Sequence, residues 1–212
     1  MESIGISNFW AFLLAGILLN LTPGTDTMYI LGRSMSLGVK AGIISALGIS
    51  TGSLIHTLAA ATGLSLVLAT STTAFTAIKF CGAAYLVYLG VRMFFFSHPP
   101  KSAQKKRSEK IRYHKLYLAG ILTNVLNPKV ALFFLAFLPQ FIDPAYPYPM
   151  FSFMILGATF ITTGTCWCLL LAVYSAKFSD LLQKRNSMGG ILNRLSGVLF
   201  ISLGIKLAIM KR

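Results

Sequence analysis

Six stretches of this chain are apolar for long enough to cross a bilayer: Ser7 to Met35, Ala41 to Thr70, Phe75 to Phe96, Leu116 to Phe141, Met150 to Tyr174 and Ile191 to Ile209. A hydrocarbon core about 30 Å thick needs about 20 residues of helix, and each run meets that length. Of the 212 residues 55% are hydrophobic and 11% charged, and mean hydropathy is +0.71, far above a soluble domain of this size. The expected fold is all-α: a polytopic membrane protein of six transmembrane helices. The first run follows Met1-Glu2-Ser3 without a basic stretch or an evident cleavage site, so it reads as a retained helix.

A formal charge of +14 suggests nucleic acid at first sight. Most of the basic residues, however, cluster between apolar runs instead of forming a stripe on a polar domain, which argues against a nucleic-acid partner. Arg33 and Lys40, the seven basic residues from Lys101 to Lys115, and Lys177, Lys184 and Arg185 all fall on one side of a six-span chain; little beyond Lys211 and Arg212 falls on the other. The positive-inside rule places these loops in the cytoplasm and both termini outside. The polar segment divides a single membrane domain, 1–212, into a first repeat of about 1–97, a basic loop of about 98–115 and a second repeat of about 116–212. Three helices per half is an odd number, so halves of common fold must be inverted relative to one another.

Helices one and four each carry an interruption that lipid does not tolerate: Asn20-Leu21-Thr22-Pro23-Gly24-Thr25-Asp26 and Asn124-Val125-Leu126-Asn127-Pro128-Lys129. Pro23 cannot donate to the carbonyl of Leu19, nor Pro128 to that of Asn124, and each ring clashes with the preceding turn. Both helices are therefore expected to bend or unwind there, with the freed backbone groups received by protein or by a water-filled cavity. Broken helices in corresponding positions of two halves are the sequence pointer to a transport site at the midplane of an inverted-repeat transporter.

The candidate substrate-binding residues are Asn20, Thr22, Pro23, Gly24, Asn124, Asn127, Pro128 and Lys129. Their amides and hydroxyls suit either the local backbone or a polar solute. Helical N–H groups after a break suit a carboxylate, freed carbonyls suit an ammonium, and an amino acid presents both. Asp26 is the sharpest single residue, because an aspartate at this depth costs roughly 2.5–3.5 kcal/mol on insertion scales unless paired, protonated or hydrated. It is the candidate for proton coupling or for an ammonium contact, with Lys129 as its charge partner or as a contact to a carboxylate. His56 is a second candidate for proton coupling, against the alternative of a histidine bonded within the bundle.

Gly48, Gly52, His56, Ala59 and Gly63 share a face of helix two. Gly157, Gly164 and Cys168 do so on helix five, and Gly197, Gly204 and Ala208 on helix six. Such flat faces let helices approach closely, within one bundle or across a homo-oligomer seam. The three cysteines, Cys81, Cys166 and Cys168, form no metal or disulfide pattern, and no metal or cofactor is expected.

These motifs resemble those of the lysine exporter and homoserine/threonine exporter (LysE/RhtB) family of bacterial efflux proteins. The resemblance runs through both breaks, through Gly38-Val-Lys-Ala-Gly42, Gly48-Ile-Ser-Thr-Gly52 and Gly63-Leu64, through Lys79-Phe-Cys-Gly82-Ala-Ala-Tyr85-Leu-Val-Tyr88-Leu-Gly90, through Phe133-Phe134, and through Leu195 to Gly204. Thr25 stands where members commonly carry a second proline, and Ser53 where many carry an acid. The resemblance implies amino-acid export driven by the proton gradient across the bacterial cytoplasmic membrane. The expected activity is secondary transport of an amino acid or related small zwitterion, by proton antiport and alternating access, and not an enzyme. Export of a cation or other small solute, an intramembrane thiol redox enzyme, and a non-transporting scaffold are the alternatives.

Overall fold

The computed structural model describes residues 2–64, 72–95, 111–143 and 145–175, together with single positions between 194 and 209. Every regular element among them is helical. The basic loop from Lys101 to Lys110, Lys177, Lys184, Arg185 and most of the sixth expected span lie outside the described residues.

The first apolar run folds as two helices, α1 (Phe9–Leu21) and α2 (Thr25–Leu37), separated by the Pro23 break. Thr22, which precedes the proline, is extended at φ −67° and ψ 121°, as the Cδ clash demands. A turn at Gly38 leads to α3 (Val39–Ala59), continued by a π-helical turn over Ala60–Leu64. Gly38 has φ +90°, a conformation open to glycine and strained for side chains, so the α2–α3 corner depends on it. Helix α4 follows at Thr72–Phe95.

The fourth run is again divided. α5 (Tyr113–Val125) ends before the second proline and α6 (Pro128–Leu132) begins on it, with a bend of 48° between the two segments. α6 runs on through a π segment, Phe133–Phe137, and a 3₁₀ turn, Leu138–Phe141. α7 (Pro149–Val173) completes the described bundle, and the described positions between 194 and 209 are helical.

Both expected breaks are thus present, and the all-α class holds among the described residues. Among the described residues two helices are long and apolar enough to cross a membrane outright, Val39–Leu64 and Pro149–Val173, and the bent pair Tyr113–Val125 with Pro128–Phe141 is a third if the two segments form one span. α1 has 13 residues, about 20 Å of helix, and crosses only if α2 continues it.

Small residues set the packing. A Cβ on Gly120 of α5 would lie 2.7 Å from the Ser45 carbonyl of α3, and one on Gly48 would run into the Tyr117 carbonyl, so these two backbones touch directly. Gly157 of α7 takes the Thr57 side chain, and Gly197 lies against Gly90 of α4, where a Cβ would come within 2.7 Å of the Gly90 carbonyl. The glycine faces of helices two, five and six are therefore packing surfaces, except at Gly63, where a Cβ would meet nothing within 4 Å.

Two apolar clusters fill the bundle. One is built on Phe12, Phe133, Phe134, Phe137, Phe141 and Phe160; the other on Ile30, Leu31, Ala46, Ile49, Leu171 and Ala172. The chain start is tied to the end of the α6 segment by Ser7 N–H to Phe141 O and Asp143 N–H to Gly5 O, both 2.9 Å. At the other end Lys40 Nζ lies over the Tyr113 ring, 5.0 Å from its centre, so the α2–α3 corner and the start of α5 are neighbours. Gly120→Val should overpack the α3–α5 crossing and cost about 1–3 kcal/mol or more. Melting of the purified protein reads this as a clear fall in Tm, with Gly63→Ala unchanged.

Candidate functional site

The two breaks meet, and each supplies what the other lacks. Lys129, directly after Pro128, reaches across to the first break, where its Nζ donates to Leu19 O at 3.0 Å and Thr22 O at 2.9 Å. Leu19 O is the carbonyl that Pro23 cannot serve; the Thr22 N–H also reaches it, at 3.2 Å. A charge-assisted hydrogen bond is worth about 1.5–3 kcal/mol, which suits an ammonium to capping carbonyls left without their helical donor.

The reverse contact comes from Asp26, which opens the first turn of α2 at its positive end. Its Oδ2 accepts from Asn124 Nδ2 at 2.8 Å, four residues ahead of Pro128. Asn124 is a hub. Its Oδ1 accepts from Ser53 Oγ at 3.3 Å, and its carbonyl, the one freed by Pro128, lies 3.3 Å from His56 Nε2 and accepts from Asn127 N–H at 3.0 Å. Gly52 makes room for it, since a Cβ there would sit 2.7 Å from the Asn124 Cβ.

Asp26 and Lys129 therefore do not form the ion pair that their sequence positions suggest. The carboxylate is bonded to an amide and the ammonium to two carbonyls, because each break has backbone or amide groups in greater need of a partner. The second carboxylate oxygen, Asp26 Oδ1, is buried and without a hydrogen-bond partner.

Between the two apolar clusters a cavity opens on Asp26, Lys129, Asn20 and Asn124, with Ser50, Ser53, Thr27 and Thr165 in its walls and Phe160 and Trp167 among its aromatic lining. Measured as the space open to the centres of water molecules it holds about 30 Å³, enough for about two waters, which need roughly 10–15 Å³ each on this measure. Asn20 donates to Thr163 Oγ1 at 3.3 Å beside Gly164, whose missing side chain leaves it room, and Ser50 and Thr165 share a 2.7 Å hydrogen bond. One acid and one base face this space and its other polar walls are neutral, a balance suited to a zwitterion.

Of the residues singled out from sequence, Asn20, Asp26, Asn124 and Lys129 reach the cavity. Thr22 turns its hydroxyl back to Leu18 O at 2.7 Å, and Asn127 Oδ1 caps the Lys129 N–H at 3.0 Å, so these two serve the local backbone. Pro23, Gly24 and Pro128 shape the breaks without lining the space. His56 stands one layer behind, capping Asn124 and stacked on Phe134 with ring centres 5.6 Å apart. The hydroxyl wall of Ser50 and Thr165, with Thr163 holding Asn20 beside it, has one signal in the sequence, polar residues recurring inside otherwise apolar spans.

Residues 17–211 match the LysE type translocator family, and the chain belongs to it; it is a transporter and not an enzyme. A Bacillus subtilis uncharacterized membrane protein, YrhP, is 34% identical over 92% of this chain and 96% of its own. An uncharacterized membrane protein of Pseudomonas aeruginosa is 30% identical over 98% of both chains. A leucine efflux protein of Salmonella typhimurium is 28% identical over 98% of this chain and 97% of its own. No solved structure matches.

Asn124→Leu should leave the Asp26 carboxylate with neither oxygen bonded and lower stability by about 1–3 kcal/mol. Thermal melting tests this. Thr162→Val, which removes only a bond to its own helix carbonyl at Ala158, should change stability by less than about 0.5 kcal/mol.

Proposed function

We propose that this protein exports an amino acid or related small zwitterion from the cytoplasm by proton antiport and alternating access, with the solute bound between the two breaks. The observation that carries the reading is the buried, unpartnered Oδ1 of Asp26 beside a cavity that also holds the Lys129 ammonium. A carboxylate oxygen left without a donor in a low-dielectric site is costly. A proton, water or a solute ammonium relieves that cost, and exchange between proton and ammonium is antiport chemistry. Asn20, Asn124 and the hydroxyl wall supply the remaining polar contacts, and His56 holds the second break from behind.

Membership of the LysE family and the likeness to proteins named for leucine efflux support an amino acid as the solute, with leucine the first to test. The cavity is well short of the roughly 150 Å³ that admits a benzene-sized group. Leucine therefore enters only when the walls part, and the broken helices are where the backbone gives most readily. The two π segments, Ala60–Leu64 and Phe133–Phe137, add further points of give.

The reciprocal contact between the breaks supports two inverted three-helix repeats within one membrane domain. The neighbouring Lys40 and Tyr113, at the end opposite Ser7 and Phe141, agree with basic connections gathered on the cytoplasmic face of a bacterial inner membrane. Small faces left on the outer surface, such as that around Gly63, are the places a homo-oligomer would use.

Proteoliposomes loaded with radiolabelled leucine and other amino acids, with and without an imposed proton gradient, test the proposal. Gradient-dependent efflux of at least one amino acid is expected in the intact protein. Asp26→Asn should lose the gradient dependence, a drop on the order of tenfold or more, taken as the loss of one essential proton carrier. Unchanged gradient-driven efflux in that variant contradicts the coupling role.

A further inference from the structure

The Lys129 ammonium sits where an ammonium ligand would sit. Its two acceptors, Leu19 O and Thr22 O, are main-chain carbonyls of the unwound first break. Thr22 O lies across Pro23 from the new helix, and Leu19 O has lost its helical donor to the proline ring. Two such carbonyls, converging on one nitrogen, act as hydrogen-bond acceptors: they bond a cation that carries N–H groups and make no such bond to a quaternary ammonium.

The seat is built for close approach. Gly24 is extended, at φ −148° and ψ −167°, which any residue adopts; the reason for glycine there is space. A Cβ at that position would stand 3.2 Å from Lys129 Nζ and 3.5 Å from its Cε. The seat also opens on the cavity, since Leu19, Lys129 and Asp26 all line it, and there Asp26 Oδ1 is buried with no partner. Lys129 thus reaches its carbonyls from inside the space a solute would enter, with an unsatisfied anionic acceptor next to it.

We infer that the Leu19 and Thr22 carbonyls form a primary-ammonium site which Lys129 fills as a tethered occupant, and from which the ammonium group of an incoming solute displaces it. The inference rests on the export reading only for the identity of that solute. A displaced Lys129 leaves its stem in place and brings its charge to the solute's carboxylate, so one side chain trades an internal cation for an external one. In the empty protein the tether keeps the freed carbonyls satisfied, a service that hydrocarbon cannot give.

Replacement of the tether by free ions tests this on the purified full-length protein, without any amino acid. Lys129→Met ends at the position of the lysine Cε and vacates only the place of Nζ, so ammonium chloride should refill it. Lys129→Ala vacates the stem as well, so propylammonium should be the better fit. Each matched ion should raise the melting temperature of its variant saturably, by roughly 2–4 °C, relative to tetramethylammonium at equal ionic strength. The unaltered protein, its site already filled, should show no difference between the ions. Equal response to all three ions in whichever variants fold, or no response, overturns the site. Because no transported solute enters the assay, its failure leaves the export proposal standing, and absence of amino-acid flux leaves this site standing.

Discussion

Everything in this bundle turns on a debt of hydrogen bonds left by two prolines. The proline rings deprive the carbonyls of Leu19 and Asn124 of their helical donors and hydrocarbon offers none, so the fold brings donors to them. Lys129 reaches the first and His56 approaches the second, while Asn127 and Thr22 close what remains locally. The donor for the first break comes from the second, and Asp26, from the first, is received by Asn124 of the second. A break that stood alone would be a defect; two that cap each other fix the relative position of the halves.

That exchange constrains the packing around it. Asn124 can meet Asp26, Ser53 and His56 together only if α5 lies almost in contact with α3. Gly48, Gly52 and Gly120 permit this by placing backbone on backbone. On the opposite wall Gly164 gives Asn20 its place. The aromatic cluster of Phe133, Phe134 and Phe160 then closes the space from one side; Phe133 and Phe160 lie with ring centres 4.8 Å apart. Polar site and apolar clusters are consequences of one arrangement: the cavity is where the two apolar clusters cannot join, because the breaks put charges between them.

Much of this was legible in the sequence because the chemistry of proline is local. The fixed φ, the missing donor and the bias on the preceding residue predict both breaks, and the glycine faces mark where helices can approach closely without naming the partner helix. Partner choice was not legible. An aspartate and a lysine after equivalent breaks suggest an ion pair, yet each is taken by a nearer claim: Asn124 for the carboxylate, freed carbonyls for the ammonium. Nothing in the spacing of Asn127 or Thr22 distinguishes a ligand from a cap, and the structure turns the Thr22 hydroxyl and the Asn127 Oδ1 to the backbone. The hydroxyls of Ser50, Thr163 and Thr165 were hidden for the opposite reason: serine and threonine inside a membrane helix can satisfy themselves on the preceding turn, as Ser50 and Thr163 also do here.

The central claim is that the two breaks constitute one binding site. A double-mutant cycle on equilibrium binding of leucine, with Asp26→Asn and Lys129→Met alone and together, measures this most directly. One shared site predicts strongly non-additive effects, with a coupling of about 0.5–3 kcal/mol. Leucine binding in which the two substitutions add to within about 0.3–0.5 kcal/mol, or which neither substitution alters, would contradict it.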